Sequence, residues 1–299
     1  MKYLLFIIAF ITLISCKNDT KNPEHVQEKE TTVTNKEMQP FEEVLPFDSI
    51  YSGTDLELNK TKSILLKRQS LLDKKDDKFQ LEKLVSNKTF KRDENLYLID
   101  FTYPYLNENI KASYHNFNEY VEETYMDIAG VEASILKKKD MICETLGINR
   151  FKEKRLVDYK IYNLNDRLVS VLFYKENYYS GTLHPSYSFD CLNFDLARSV
   201  FMNYEDFFNE GTEEEMTKIL NEVLTEKINS GDIYYDCWEI SFDDFFENKD
   251  NFVVDDMKVE YYFDDCVICP SYTGTFSVEI PLTRLLPVLR KYKLNPLVL

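Results

Sequence analysis

Apolar and polar positions alternate with a period of two in several segments, a pattern that predicts β-strands burying one face. The clearest example runs from Tyr97 to Tyr103, and Pro104 is expected to end that strand. In the next predicted hairpin, Val157–Ile161 alternates and Leu168–Tyr174 is apolar on both faces, as in a central strand. Four later segments also predict strands, and the middle two form a hairpin: Tyr187–Leu196, Phe252–Val254, Val259–Phe263 and Phe276–Ile280.

Apolar residues spaced by three and four predict helices among these strands. Ile110–Ile128 has this spacing. Thr212 and Glu215 have the spacing of a capping box, so a helix is expected to begin there and to end near Gly231. Pro281 is expected to start a short last helix. Runs of strands with separate helices and short turns predict an α+β fold, a mainly antiparallel sheet with helices packed on it.

The N-terminus has the layout of a bacterial lipoprotein signal. A short basic start precedes the apolar run Leu4–Ile14, which is too short to span about 30 Å of hydrocarbon as a helix. The sequence Leu13-Ile-Ser-Cys16 resembles a lipobox, in which a small residue precedes the cysteine that receives the lipid. We therefore expect cleavage before Cys16 and its attachment to a lipid bilayer through acyl chains. The alternative is an ordinary signal peptide followed by a chance cysteine.

The residues after Cys16 indicate where the lipoprotein would be held. Lys17 is not the aspartate that retains enterobacterial lipoproteins in the inner membrane, so the outer membrane is favoured. The signal is similar to those of Bacteroidota lipoproteins, whose surface-exported members carry an acidic cluster after the cysteine, and Asp19 alone matches that cluster poorly. We therefore expect the periplasmic face of the outer membrane.

Composition along the chain suggests its domain organisation. Residues 17–39 are polar and charged with no apolar period, which is typical of a flexible tether. The expected segments are a signal peptide (1–15), the tether (16–40), an N-terminal extension of undefined structure (41–78), a small α+β domain (79–177), a second domain (178–290) and a tail (291–299).

Charge and hydropathy exclude several classes of protein. The 299 residues include 36 Lys and Arg against 52 Asp and Glu, a net charge of −16, whereas nucleic-acid binding needs clustered positive charge. The mean hydropathy of −0.39 excludes a polytopic membrane protein, and a hydrophobic content of 44% excludes wholesale disorder. The net negative charge is compatible with a basic partner. We expect the chain to be monomeric.

Five cysteines remain after Cys16, and their pairing is left open by the sequence: Cys143, Cys191, Cys237, Cys266 and Cys269. An odd number means that at least one stays unpaired or pairs between chains. Cys266 and Cys269 have the CxxC spacing of redox proteins, but they follow a predicted strand and the acidic pair Asp264–Asp265, which disfavour a reactive thiolate. Buried or locally bridged thiols are therefore expected.

Catalytic motifs give little support for an enzyme. His25 lies in the tether, so His115 and His184 alone cannot form a three-histidine zinc site, and HExxH, Walker A, EF-hand and GxSxG motifs are absent. We expect no metal and no cofactor, and His184 is expected to be a structural turn residue rather than a base. Three carboxylate pairs are expected to be solvated loop faces rather than calcium ligands: Asp243–Asp244, Asp255–Asp256 and Asp264–Asp265.

Several motifs in the second half resemble the RsiV C-terminal domain family. The first block comprises Tyr178-Tyr-Ser-Gly-Thr-Leu-His-Pro185, Phe194-Asp-Leu196 and Tyr204-Glu-Asp-Phe-Phe208. The second block comprises Asn251-Phe252, Tyr261-Tyr-Phe263, Ile268-Cys-Pro270, Gly274 and Val278-Glu-Ile-Pro281. The resemblance covers roughly residues 79–290. It departs from the family pattern at Thr182-Leu183, where the family prefers Gly-Ala, and at Cys266 and Cys269, where it prefers Tyr and Ala.

The resemblance implies a domain that binds a ligand and has no chemistry of its own. Such domains bind lysozyme in lysozyme-responsive anti-sigma factors and precede the catalytic domain of some peptidoglycan deacetylases. We therefore expect a non-catalytic, membrane-anchored envelope protein whose partner is lysozyme or another basic cell-wall enzyme. The alternative is a glycan-acting cell-wall enzyme or accessory module that uses His184 and nearby carboxylates.

Residue chemistry then selects two loops as the ligand-binding site: the first is Ser180–Pro185 and the second is Pro270–Gly274. In the second loop, Pro270 limits backbone freedom, Tyr272 offers a large amphipathic contact and Gly274 permits a tight return. The adjacent Asp264–Asp265 is expected to attract a basic ligand. The candidate binding residues are Ser180, Gly181, His184, Pro185, Pro270, Tyr272 and Gly274.

Overall fold

The computed structural model describes residues 83–141, 152–164, 167–180, 182, 185–233, 237–270 and 273–298. The expected signal peptide, Cys16, the tether and the extension to residue 78 lie outside the described residues. Everything described belongs to one compact unit, Lys62–Leu299. None of the described helices is both long and apolar enough to cross a membrane.

The described strands form two sheets. The larger sheet has the order β1 to β6, and its strands are β1 (Val85–Asp93), β2 (Tyr97–Leu106), β3 (Glu153–Leu164), β4 (Leu168–Tyr178), β5 (Ser186–Asp195) and β6 (Val200–Met202). The smaller sheet consists of β7 (Phe252–Val254), β8 (Lys258–Tyr262) and β9 (Ser277–Pro281). Every pairing is antiparallel except that of β2 with β3, so the α+β prediction with a mainly antiparallel sheet is confirmed.

The helices lie on the outer faces of these sheets. They are α1 (His115–Tyr125), α2 (Ile128–Met141), α3 (Tyr204–Phe207), α4 (Glu213–Ser230), α5 (Phe242–Glu247) and α6 (Leu282–Leu285). Both α1 and α2 lie in the connection between β2 and β3, because two parallel neighbours need a crossover connection. Gly231 ends α4 with φ of +80°, as the sequence predicted for that helix end.

β4 is the central strand that its apolar run predicted. Its residues Val169, Val171 and Phe173 face α1 and pack against Phe117 and other residues of that layer. The alternate residues Leu172 and Tyr174 face the smaller sheet, where they pack with Val253, Tyr262 and Phe276. α4 covers the far side of the smaller sheet, where Met216 and Leu220 belong to one buried cluster with Phe252 and Ile280. Burial on both faces explains why the strand has no polar alternation.

Two local predictions are wrong. β2 continues through Pro104 to Leu106, because β3 pairs with β2 only as far as Phe101 and Pro104 therefore lies where β2 is an edge strand on that side. Thr212 precedes α4, but its side chain makes no capping hydrogen bond to the helix. Its Oγ1 instead donates to the Asn209 carbonyl and lies 3.0 Å from the Tyr204 hydroxyl.

The sheet is continuous across residues 177 and 178, where the sequence suggested a boundary between two domains. β4 runs through that position to Tyr178, and it pairs with β5 from Leu168 with Asp195 to Asn177 with Ser186. Within the segment expected to be a tail, Asn295 is fully buried and its amide donates to the Phe207 and Arg290 carbonyls. Asn295 therefore fixes this segment to the fold, while residues 291–294 are exposed.

Candidate functional site

The two loops predicted to bind a ligand leave the fold side by side. The first follows β4 and leads into β5, and the second follows β8 and leads into β9. At their bases, the Asp265 amide donates to the Tyr187 carbonyl (3.2 Å), and the Tyr187 amide donates to Asp265 Oδ2 (3.1 Å). A reciprocal pair of this kind fixes the base of one loop against the other.

Side-chain acceptors cover the outer edge of β5 in the stretch where no strand pairs with it. The amides of Tyr187, Phe189 and Cys191 donate in turn to Asp265 Oδ2 (3.1 Å), Asp264 Oδ1 (2.9 Å) and Asn251 Oδ1 (2.7 Å). Because an uncovered edge would leave these donors open to other chains, the three acceptors protect the edge as well as satisfying it. Both carboxylates are thus structural acceptors, while Asp264 is exposed, as predicted for a solvated loop face, and Asp265 is half-buried.

Desolvation sets the titration of these two carboxyls. Partial removal from water raises the pKa of Asp264 and of Asp265 above the usual aspartate range, and the bonds from the β5 amides oppose that rise. Oδ1 of Asp265 is buried and has no hydrogen-bond partner among the described residues. The structure therefore holds Asp265 at an electrostatic cost.

Aromatic rings form the floor beneath the two loops. The Phe276 ring centroid lies 5.5 Å from that of Tyr187 and 4.9 Å from that of Phe189. Tyr174 lies 6.0 Å from Tyr187, and Tyr262 lies 5.4 Å from Phe189, so rings from both sheets join in one cluster. Such pairs favour offset and tilted geometries and hold the loop bases rigidly.

Arg155 supports the first loop from the other side. Its guanidinium donates to the Tyr178 carbonyl (3.2 Å), stacks 4.1 Å from the ring centroid of Tyr179 and pairs with the buried carboxylate of Glu153. Both Tyr178 and Tyr179 are half-buried. Both side chains therefore already contact the rest of the fold in the absence of a ligand.

The structure places four of the seven candidate binding residues. Ser180 and Pro270 are half-buried, Pro185 is buried, and Gly274 has φ of +71°, the left-handed region in which glycine is favoured. The Thr273 amide donates to the Pro270 carbonyl (3.0 Å), so the second loop turns tightly there. Three candidates lie outside the described residues: Gly181, His184 and Tyr272.

A disulfide ties the second loop to a distant segment. Cys269 is bridged to Cys237, 32 residues earlier, so neither a local bridge to Cys266 nor a CxxC redox pair forms. Next to that bridge, Trp238 Nε1 donates to the Val267 carbonyl (2.7 Å), and the Trp238 amide donates to the Ile268 carbonyl (3.0 Å). Sequence reasoning missed Trp238, although a lone tryptophan beside a cysteine was a usable signal. The Cys191 thiol is buried, which raises its pKa well above the usual range.

The described residues contain no group of three or more His, Cys, Asp or Glu side chains placed to hold a metal ion. A cleft of about 560 Å³ lies elsewhere, between the end of α4 and the turns around β8 and β9. Its charged residues are largely paired, Arg284 with Glu222 and Glu226, and Lys258 with Glu279. Its lining residues are Val223, Glu226, Lys227, Ser230, Asp232, Met257, Lys258, Glu279, Pro281 and Arg284, so none of the four described candidates lies in it.

Comparisons with known proteins agree with this architecture. Residues 205–283 match the family model described as "Protein of unknown function (DUF3298)". The fold is similar to the crystal structure of a DUF3298 family protein from Pseudomonas aeruginosa PAO1, over 71% of this chain and 97% of that chain, with a TM-score of 0.51 and 13% identity. A DUF3298 family member from Bacteroides fragilis NCTC 9343 also matches, over 69% of this chain and 94% of that chain, with a TM-score of 0.44 and 15% identity. No curated protein is a significant match. Residues 205–283 are thus the part of this chain that resembles the DUF3298 family.

Proposed function

We propose that this chain is a non-catalytic envelope lipoprotein, anchored through Cys16 at the periplasmic face of the outer membrane. Its folded part binds a protein ligand, lysozyme or another basic cell-wall enzyme, through the two loops that contain Ser180–Pro185 and Pro270–Gly274. The observation that carries the proposal is the reciprocal bonding of Tyr187 with Asp265, which brings the bases of the two loops together. A pair of loops on a rigid floor is a common way of presenting a binding surface.

Two further features support a basic protein as the ligand. The net charge of −16 attracts a cationic protein over long range and raises its rate of encounter. The resemblance to the RsiV C-terminal domain family supplies the class of partner. Asp264 and Asp265 contribute to this long-range attraction, but their bonds to β5 hold them in place, so they are not free to turn toward a ligand.

The test is biolayer interferometry with the full chain in mild detergent and hen egg-white lysozyme as the soluble partner. Cytochrome c, a basic protein without a role in cell walls, controls for charge alone. We expect saturable binding of lysozyme that is stronger than that of cytochrome c. No detectable binding at about 100 μM, which corresponds to an association free energy weaker than about 5.5 kcal/mol, rejects the partner.

Variants locate the contact. Tyr272→Ala is expected to weaken binding by about 2 kcal/mol or more, roughly 30-fold, if the ring is a buried anchor. Asp256→Asn, an exposed charge in the β7–β8 turn, is the control and is expected to alter mainly the association rate. Unchanged affinity in a folded Tyr272→Ala variant rejects the loop and leaves the partner standing.

The non-catalytic part of the proposal has its own assay. Purified peptidoglycan is incubated with the full chain and with His184→Ala, and released sugars and new reducing ends are measured. We expect no release above buffer for either protein. Release that depends on His184 would replace this proposal with the glycan-acting alternative.

A further inference from the structure

Three large aromatic side chains are exposed in the short segment between Cys237 and Asn248. Trp238 is 42% exposed, Phe242 43% and Phe246 49%. Phe242 and Phe246 are four residues apart on α5, and their ring centroids lie 5.7 Å apart, so they share one helix face. Large aromatics left in water at this density are typical of a contact surface rather than of ordinary surface scatter.

The segment is held rigidly although its aromatic rings are exposed. The Cys237–Cys269 disulfide and the bonds of Trp238 to the Val267 and Ile268 carbonyls fix its start. Asn221 of α4 then bonds the backbone of Ile240 in both directions, at 2.8 and 2.9 Å. Phe245 is fully buried in the core and fixes α5. A surface of this kind loses little conformational entropy when a partner binds.

The charge of the segment is of one sign. Residues 237–248 include four acidic residues and no lysine or arginine: Glu239, Asp243, Asp244 and Glu247. The structure also shows that one of its rings accepts a cation, because Lys249 Nζ lies 5.0 Å from the Phe246 ring centroid. That ammonium is neutralised by Glu205 and Glu213, so it does not offset the acidic residues of the segment. Aromatic faces flanked by carboxylates are complementary to arginine and lysine side chains.

We propose that Trp238, Phe242 and Phe246, with the acidic residues between them, form a docking platform for an arginine- and lysine-rich protein surface. The platform adjoins the Pro270–Gly274 loop through the Trp238–Val267 bond and the disulfide, so a single partner contacts both. This inference rests on the proposed function, since it names a second contact surface for the same basic partner.

Trp238 is the only tryptophan in the chain, so intrinsic fluorescence reports on the platform directly. The probe is a tryptophan-free deca-arginine peptide titrated into the full chain in mild detergent. We expect a saturable change in Trp238 emission and a Kd that weakens about 10-fold in the double variant Phe242→Ala/Phe246→Ala, which keeps the net charge. Both rings are exposed, so the variant is expected to melt within a few degrees of the wild type. No emission change, or an unchanged Kd in this variant, overturns the platform.

A charge-matched pair of variants separates the platform from general attraction to an acidic protein. Glu239→Gln/Asp243→Asn removes two charges from the platform, and Glu119→Gln/Glu123→Gln removes two exposed charges from α1. We expect the first to weaken deca-arginine binding about 5-fold or more and the second less than about 2-fold. Equal losses would show that only net charge matters and would overturn the platform.

The same variants measured against lysozyme separate this inference from the proposed function. Lysozyme binding that weakens with both Tyr272→Ala and Phe242→Ala/Phe246→Ala supports a continuous surface. Lysozyme binding unaffected by the platform variants overturns the platform and leaves the proposed function intact. Absent lysozyme binding together with an intact deca-arginine response rejects the proposed partner and supports the platform.

Discussion

The side chain of Asn251 is expected to contribute more to stability than its position at a turn suggests. Its Oδ1 accepts from the Cys191 amide (2.7 Å), and its Nδ2 donates to the Phe189 carbonyl (2.8 Å) and the Tyr262 carbonyl (2.9 Å). These bonds join the edge of β5 to the smaller sheet. Asn251→Ala leaves the Cys191 amide, in a buried residue, without its acceptor and removes two further bonds.

The magnitude follows from these three bonds. An unsatisfied buried donor costs about 1–3 kcal/mol, and each of the other bonds contributes about 0.5–1.5 kcal/mol, so we expect a loss of about 3 kcal/mol in the free energy of unfolding. For a domain of this size, that loss lowers Tm by about 6–12 °C. Urea unfolding followed by circular dichroism measures the first quantity, and a thermal melt measures the second.

A matched control uses the same substitution at a position with one solvent-accessible bond. The side chain of Asn248 donates one bond among the described residues, to the Asp244 carbonyl (2.8 Å) at the end of α5, so Asn248→Ala is expected to cost about 1 kcal/mol or less. If the two variants unfold within about 0.5 kcal/mol of each other, the reasoning about Asn251 is refuted. The interaction between the sheets would then depend on the apolar contacts alone.

Three further predictions follow from the described contacts and from the sequence. Replacing both Cys237 and Cys269 by serine is expected to cost about 2–4 kcal/mol of stability under oxidising conditions, and a reductant is expected to lower the wild type to the same level. Burial raises the folded-state pKa of Asp265, so the wild type gains stability as pH falls through that pKa. The variant Asp265→Asn cannot take up this proton. Its free energy of unfolding minus that of the wild type, measured by urea titration, is therefore expected to decrease from about pH 7 to about pH 4.5. Cys16→Ser is expected to abolish labelling by a fatty-acid probe and stable membrane retention, and equal labelling of the two proteins would refute the lipoprotein prediction.

The sequence predicts well those elements whose buried faces show as a regular pattern of apolar residues. β4 is apolar from Leu168 to Tyr174 except at Ser170 because both faces are covered, and β8 pairs with β7 across a short polar turn, as expected. β1 was not predicted, since only Val85 of its nine residues is buried. It forms because β2 pairs with it along its whole length, and an exposed edge strand carries no apolar pattern.

Contacts between distant segments were beyond the reach of the sequence. Five cysteines permitted many pairings, and the structure bridges Cys237 to Cys269 beside the bond of Trp238 to the Val267 carbonyl. The acidic pair Asp264–Asp265 was predicted to attract a ligand, but its carboxylates accept hydrogen bonds from the amides at the outer edge of β5. Side chains that satisfy an edge look like ordinary loop residues in a sequence, because nothing in their spacing indicates which strand they will meet.

The division of acidic residues between structure and surface bears on how a basic partner would be recognised. Asp264 and Asp265 accept from β5 amides, so moving them toward a ligand would leave donors unsatisfied and loosen the loop base. Glu239, Asp243 and Glu247 accept no hydrogen bond from a described strand edge, and they belong to the same short segment as the exposed rings. Long-range attraction is a property of the whole chain, whereas close contact needs charges that are free to reorient. The proposed binding surface therefore combines the apolar anchor of the second loop with the carboxylates of the α5 segment, rather than the acidic pair nearest to that loop.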